Sequence, residues 1–307
     1  MARVLVTGGA GFVGSHVVDG LLAKGHDVLV VDNLSTGTRS NLPAGTEFVD
    51  LDVADDGLVG VVKSFGPDVI SHLAAQASVP VSMSDPNLDA RVNILGGLNV
   101  VRAAMEADCE QVVYVNTGGA LYGEPEYVPC DEDHPIKPIS AYGLSKWTSE
   151  CYFRIMLPKS IALKVLRPAN IYGPRQDPHG ESGVIAIFLR KMLRGDRVTI
   201  NGDGEYTRDY VYVGDVVDAH DLAMKHGETF VANIGTGKGT SVNDIFRRLR
   251  TVTGYCEPPI FDTPRPGDVR HIALDASKAR RVLGWEPKVG LIEGLKMTAA
   301  SMRNADE

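Results

Sequence analysis

At 307 residues, with 44% hydrophobic and 23% charged side chains, the chain is unlike disordered, collagen-like or coiled-coil sequences. Thirty-one Lys and Arg against 39 Asp and Glu leave a net charge of −8, which argues against nonspecific nucleic-acid or anionic-membrane partners. The apolar runs are strand-length, too short for a bilayer, and residues 1–14 end in glycines with no signal-cleavage site. Four cysteines lie far apart without a CxxC and eight histidines lack ligand spacing, so a cytoplasmic, reduced protein without a metal site is expected.

In chain order, strands are predicted at Arg3–Thr7, Asp27–Val31, Thr46–Asp50, Asp68–His72, Gln111–Val115 and Ile161–Arg167. Several are continuously apolar, as a strand covered by helices on both faces requires. Helices are predicted between them at Phe12–Lys24, Ala54–Phe65, Pro86–Ala107 (one long helix) and Ala141–Leu157. This alternation predicts an α/β chain with a doubly wound, parallel, Rossmann-type sheet. After Arg167 the regularity breaks, with Gly- and Pro-rich stretches at 170–183 and 254–267, and further strands at Thr207–Val213 and Thr229–Ile234 around a helix near Asp215. The expected organisation is a dinucleotide-binding domain of residues 1–170, rejoined by about 208–236, and a smaller C-terminal substrate-binding lobe of about 171–207 and 237–307.

Gly8, Gly9, Gly11 and Gly14 satisfy both GxGxxG and GxxGxxG between the first strand and the first helix, with Phe12 and Val13 opening that helix. Glycines let the backbone approach a pyrophosphate, and the helix N-terminus offers unpaired N–H groups. Asp32 ends the second strand 18 residues beyond Gly14, where a carboxylate binds the adenosine ribose and repels a 2′-phosphate. NAD is therefore expected over NADP, with Arg39 as the one nearby cation against it. Asn33, Thr36 and Gly37 follow in the cofactor set, Asp52 and Val53 are placed to hold the adenine, and Leu73, Ala74, Ala75 and Gln76 are placed to run beneath the dinucleotide. Gly235–Thr240 looks like a phosphate loop but lacks GxxxxGK[ST] spacing and reads as an ordinary turn.

Tyr142 and Lys146 stand four residues apart, on one face of a helix. An ammonium near the phenol is expected to lower its pKa toward general-base work near neutrality. With these residues the chain resembles the extended short-chain dehydrogenase/reductases, specifically the UDP-glucose 4-epimerase family. The resemblance runs through the glycine loop, Asp32-Asn33-Leu34, His72–Gln76, Asn93, Gly118–Gly123, Tyr142 with Lys146, Arg167–Pro178, Thr207–Tyr210 and Arg265–Asp268. It implies NAD as cofactor, a UDP-sugar substrate and a homodimer built on the 86–107 and 141–157 helices, where Ile94, Leu98, Val101 and Met105 recur at helical spacing. It also implies that Thr117 supplies the hydroxyl beside the tyrosine, from one residue earlier than the usual position, which is Gly118 here. Asn93 would keep a local backbone network, Asn170 would meet the diphosphate, Arg208 and Arg265 would neutralise it, and Asp268 would bind the uridine ribose. Gly118 joins Thr117 and Tyr142 at the sugar. A 4,6-dehydratase would need Asp-Glu where Gly118-Gly119 stand. A UDP-glucuronate 4-epimerase is the alternative, disfavoured by Asp177, whose charge would repel a substrate carboxylate.

Overall fold

The computed structural model describes residues 1–178, 183–264 and 269–305. The first part of the chain runs β1 (Arg3–Thr7), α1 (Phe12–Ala23), β2 (Asp27–Asp32), β3 (Glu47–Asp50), α2 (Gly57–Phe65), β4 (Val69–His72), α3 (Val79–Ser84), α4 (Pro86–Ala90), α5 (Gly96–Glu106), β5 (Gln111–Val115), α6 (Ala141–Met156) and β6 (Ala162–Pro168). It continues through β7 (Asn170–Tyr172), α7 (Val184–Arg194), β8 (Thr199–Asn201), β9 (Thr207–Tyr212), α8 (Val213–Lys225), β10 (Phe230–Ile234), β11 (Gly239–Ser241), α9 (Val242–Thr253), β12 (Ile260–Asp262), α10 (Ser277–Leu283) and α11 (Leu291–Ala305).

Two compact units share the chain: Met1–Thr117 with Ser140–Arg167 and Val217–Ala232, and Gly118–Ile139 with Pro168–Val216 and Asn233–Glu307. The first is organised by a seven-stranded sheet of order β10-β6-β5-β4-β1-β2-β3, with every pairing from β3 to β6 parallel. Alternate side chains of each strand feed the two faces. On one face Leu5, Leu29, Ile70 and Val112 pack with Leu58 and Val62 of α2, Val100, Ala103 and Ala104 of α5 and Phe153 of α6, all buried. The opposite face is covered by α1 and the C-terminal part of α8. There Gly9 lies against Val30 and Val18, Gly20 approaches Val217, and His220 hydrogen-bonds Ser71 at 2.9 Å. Fully removing a Leu or Ile side chain from water contributes ~1.5–3 kcal/mol, so this double cover carries the sheet.

The second unit holds a three-stranded sheet of order β11-β9-β7, with β7 parallel and β11 antiparallel to β9, and a parallel β8–β12 pair. The segment returning to the first unit is 217–232, narrower than the 208–236 expected from sequence, and 118–139 groups with the second unit instead of the first. Residues 118–139 have no regular element to declare their allegiance. They are fixed by distant partners: Tyr122 donates to Asn233 Oδ1 at 2.7 Å, and Cys130 exchanges backbone bonds with Ala273 and Asp275.

The single 86–107 helix expected from sequence is broken into α4, a π-helical turn at Arg91–Leu95, and α5, and α3 precedes it. Asp85 starts α4 by accepting from Leu88 N–H at 3.0 Å, with Pro86 at the first helical position. Of the four apolar residues that recur at helical spacing here, Val101 belongs to the core, Ile94 and Leu98 are half-buried, and only Met105 is exposed. No helix among the described residues is long and apolar enough to cross a membrane.

Candidate functional site

The glycine turn is built as a cradle. Gly8 takes φ +69°, and a Cβ there would lie 2.5 Å from Ala74 N, so the chain after β4 runs directly against it. A methyl on Gly14 would overlap the Gly8 carbonyl oxygen. Gly11 caps α1 with no side-chain hydrogen bond, which leaves the Phe12, Val13 and Gly14 turn presenting its backbone. These are features a pyrophosphate-holding turn needs, and they fit a dinucleotide.

Asp32 is buried and uses one oxygen for each side of the turn: Oδ2 accepts from Ala10 N–H at 2.9 Å, and Oδ1 from Leu34 N–H at 2.8 Å. Leu34 sits at φ +54°, an uncommon conformation for a branched residue and a local strain. The following loop, with Asn33, Thr36 and Gly37, folds back on the turn. Gly37 lies against Ala10, and Thr38 N–H and Asn41 Nδ2 both donate to the Ala10 carbonyl. Arg39 is engaged elsewhere, donating to the Thr46 carbonyl at 2.7 Å with its guanidinium over the Phe48 ring. Asp52 meets Asn33 at 3.2 Å and Arg91 at 2.7 Å. Burial pushes its pKa up, but the Ala54 N–H and the Arg91 guanidinium outweigh this and hold it below the ordinary value. Val53 is buried beside it, in contact with Gly96.

Beyond β4, Leu73 N–H continues the ladder to Thr7 O, and Ala74 N–H reaches Thr7 Oγ1. Ala75 is half-buried, and Gln76 starts a closed polar network. Asn93, on the π turn, accepts from Gln76 N–H at 3.0 Å and donates toward Gln76 O, Asp89 and Ser145 Oγ. A buried amide with this many fixed partners holds backbone in place, and a π turn is a frequent way to aim such a residue. Asp89 and Ser145 were not singled out from sequence. Ser145 lies next to Lys146 in a chemically plain motif, and Asp89 sits in what reads as a solvated helix start.

Helix α6 begins with Ser140 capping Gly143 N–H at 3.2 Å, which sets Tyr142 in the first turn and Lys146 one turn on. The Thr117 side chain favours the charged form of the Tyr142 phenol, but burial outweighs it and pushes the phenol up to about 12. Lys146 is buried, donates to Val115 O at 3.0 Å and lies 4.4 Å from the Tyr114 ring centroid; burial brings it down to about 7, against the pull of Asp89 and Glu150. The expected lysine-driven lowering of the tyrosine is therefore corrected: within the chain itself desolvation dominates, and the ammonium is spent on a carbonyl and a ring face. Gly118 is buried, with its N–H committed to Pro168 O at 2.6 Å.

In the second unit Asn170 of β7 is exposed and pairs in register with Tyr210 of β9. Arg208, half-buried, follows Thr207 on β9 and donates to the Thr207 carbonyl at 2.9 Å. Asp177 is exposed, in the loop after β7. Arg265 and Asp268 lie outside the described residues. The Gly235–Thr240 turn cradles a carboxylate: Asp209 accepts from Thr236 N–H, Thr236 Oγ1 and Gly237 N–H, and also from Leu274 N–H. All four cysteines are free thiols, and among the described residues no group of three or more His, Cys, Asp or Glu is arranged to hold a metal ion.

A parallel sheet with this glycine cradle, an acid ending β2 and a Tyr-x-x-x-Lys helix against β5 defines a Rossmann-type nucleotide enzyme of the extended short-chain dehydrogenase/reductase class. Residues 4–235 match the NAD dependent epimerase/dehydratase family, and the chain belongs to that family, with NAD as its cofactor. It is 44% identical to the UDP-glucose 4-epimerase of Mycolicibacterium smegmatis, over 99% of this chain and 100% of that one. Among solved structures it is similar to the UDP-glucose 4-epimerase of Thermotoga maritima, determined with UDP-glucose, at 48% identity, TM-score 0.96 and coverage of 99% and 100%. The UDP-glucose 4-epimerase of Thermus thermophilus, in complex with NAD, follows at 44% identity, TM-score 0.92 and 99% of both chains.

Proposed function

We propose that the protein is a UDP-glucose 4-epimerase, interconverting UDP-glucose and UDP-galactose. The observation that carries the reading is Tyr142 beside Thr117, with buried Lys146 one turn further along α6, in a chain matched end to end by 4-epimerases. Bound NAD supplies a hydride acceptor and return donor for the sugar C4. Tyr142 takes the proton of the 4-hydroxyl and later returns it to the 4-keto sugar after that sugar has turned over. Thr117 donates to the phenol oxygen, which favours its charged form, and holds the sugar 4-oxygen beside it. Lys146 adds positive charge beneath both. The glycine turn and Asp32 hold the dinucleotide's pyrophosphate and adenosine ribose, with Asn33, Thr36, Gly37, Asp52, Val53 and the 73–76 run around it, while Asn93 fixes Gln76 below. Asn170 and Arg208, with Arg265 and Asp268, take the nucleotide end of the sugar substrate, which assigns the second unit to UDP-sugar binding.

We assign the active form as a homodimer paired through α5 and α6. These helices present Met105, Leu144, Tyr152 and Ile155 to solvent, Ile155 at 79% exposure. Such a row of large apolar residues is what an intersubunit helix pair buries. Four unpaired thiols favour the cytoplasm. The test is to incubate the protein with UDP-glucose, UDP-glucuronate and UDP-N-acetylglucosamine and resolve the 4-epimers by chromatography. UDP-galactose is the expected product. Equal or faster turnover of UDP-glucuronate would replace this reading with the uronate epimerase.

A further inference from the structure

The segment leaving β5 is held by three successive turns of one helix face. Lys146 bonds Val115 O, Glu150 accepts from Asn116 Nδ2 at 2.6 Å, and Tyr142 meets Thr117. Glu150 is fully buried and its acceptor positions are filled: Arg167 reaches it through Nε at 3.1 Å and Nη2 at 2.6 Å, and Arg154 Nε at 3.1 Å. A buried carboxylate this fully bonded is a fixed anchor. The other end of the Asn116 amide, Oδ1, accepts from Thr117 N–H at 2.9 Å.

That last bond answers a specific need. Asn116 N–H continues the β5–β6 ladder to Leu166 O, whereas the β4–β5 ladder ends at the His72–Tyr114 pair, before Thr117. Successive N–H groups of a strand face opposite sides, so Thr117 N–H points to the side where no strand continues. Thr117 is also the sole hydroxyl between Asn116 and Leu121, because Gly118 and Gly119 follow it. We propose that Asn116 is a positioning residue, anchored by the Arg167–Glu150 pair, that fixes the Thr117 backbone and so aims the Thr117 hydroxyl at Tyr142. This rests on the epimerase reading given above.

The test is a double-mutant cycle on the NAD-loaded protein with Asn116→Ala, Thr117→Val and the pair, measured with UDP-glucose after circular dichroism has confirmed folding. Asn116→Ala is expected to lower kcat by about tenfold or more while KM for UDP-glucose changes less than threefold, a split that general loosening would not produce. Once Thr117→Val has removed the hydroxyl, adding Asn116→Ala should change kcat less than twofold. Independent, multiplying losses would overturn the proposal, as would a KM rise that matches the kcat loss. Asn116→Ser, a milder truncation, should follow the same pattern if the alanine variant folds poorly. One arm does not depend on which sugar is turned over: amide hydrogen exchange at Thr117 should accelerate at least tenfold in Asn116→Ala. Unchanged exchange would overturn the proposal even if the wild-type protein left UDP-glucose untouched, the outcome that separately refutes the epimerase reading.

Discussion

Tyr142→Phe isolates the chemistry from the architecture. The ring stays in the first turn of α6 and one oxygen is lost, together with its interaction with the Thr117 side chain. Thr117 is half-buried and keeps access to water, so the loss should cost folding no more than about 1 kcal/mol. Catalysis should suffer far more. A positioned general base is worth ~10²–10⁴ in rate, or about 3–5 kcal/mol of barrier. The structure says why that oxygen needs help. Burial holds the phenol near 12, so working at neutral pH requires about five units of lowering, or about 7 kcal/mol. With Lys146 turned to the Val115 carbonyl and the Tyr114 ring, the further cation would be the oxidised nicotinamide ring of bound NAD; one unit charge ~4 Å away at an effective dielectric of ~20 supplies about 4 kcal/mol. The assay is conversion of UDP-galactose to UDP-glucose, with NAD content and thermal midpoint measured on the same sample. The expected variant is folded, NAD-loaded and at least a hundredfold slower, with KM little changed. Turnover within threefold of wild type would refute the assignment of Tyr142 as the base.

Asp32→Ala should weaken NAD binding and narrow its preference over NADP, since the carboxylate both repels a 2′-phosphate and ties Ala10 to Leu34; tighter NADP binding by the wild type would contradict the site. His72 and His220 are held to about 3 and about 4 by burial, below the ordinary 6.5, so the unfolded chain binds more protons between those values. Stability is therefore full above pH 6.5 and falls as pH drops through the window, by about 4 kcal/mol at pH 5 for the two together; urea unfolding at pH 7.5 and 5.0 measures it, and a stability unchanged between the two would contradict it. Ile155→Glu should shift sedimentation from dimer to monomer with the fold intact, and an unchanged wild type of 33 kDa at micromolar concentration would remove the dimer assignment.

Sequence patterning located the sheet and the cofactor turn because both rest on local chemistry. Continuous apolar strands and helix-opening glycines leave a signature within ten residues, and β1 and β5 fall where the apolar runs place them. The tyrosine–lysine face is legible for the same reason. What was not legible depends on distant partners. The π turn that aims Asn93 is decided by Gln76 and Ser145, 17 and 52 residues away. Glu150 reads as one more charged helix residue, and only the fold brings Arg167 and Asn116 onto it. The direction of the Tyr142 shift was missed because spacing reveals a neighbouring charge but not how far burial outweighs it.

The position of β10 gives the growing chain a particular hazard. β6 acquires its outer neighbour only when Phe230–Ile234 has been made, roughly sixty residues after Pro168. At ~5–20 residues per second, that interval lasts on the order of several seconds, during which a largely apolar strand with Lys164 and Arg167 in it stands as the rim of a nascent sheet. Such a rim invites pairing with another polypeptide. Lys164 lies in the middle of it, its ammonium donating to Gln111 Oε1 at 2.6 Å in the finished protein and brought down to about 8 by burial. Before β10 arrives that ammonium carries full charge, and a lysine on a bare strand is a guard against the wrong partner.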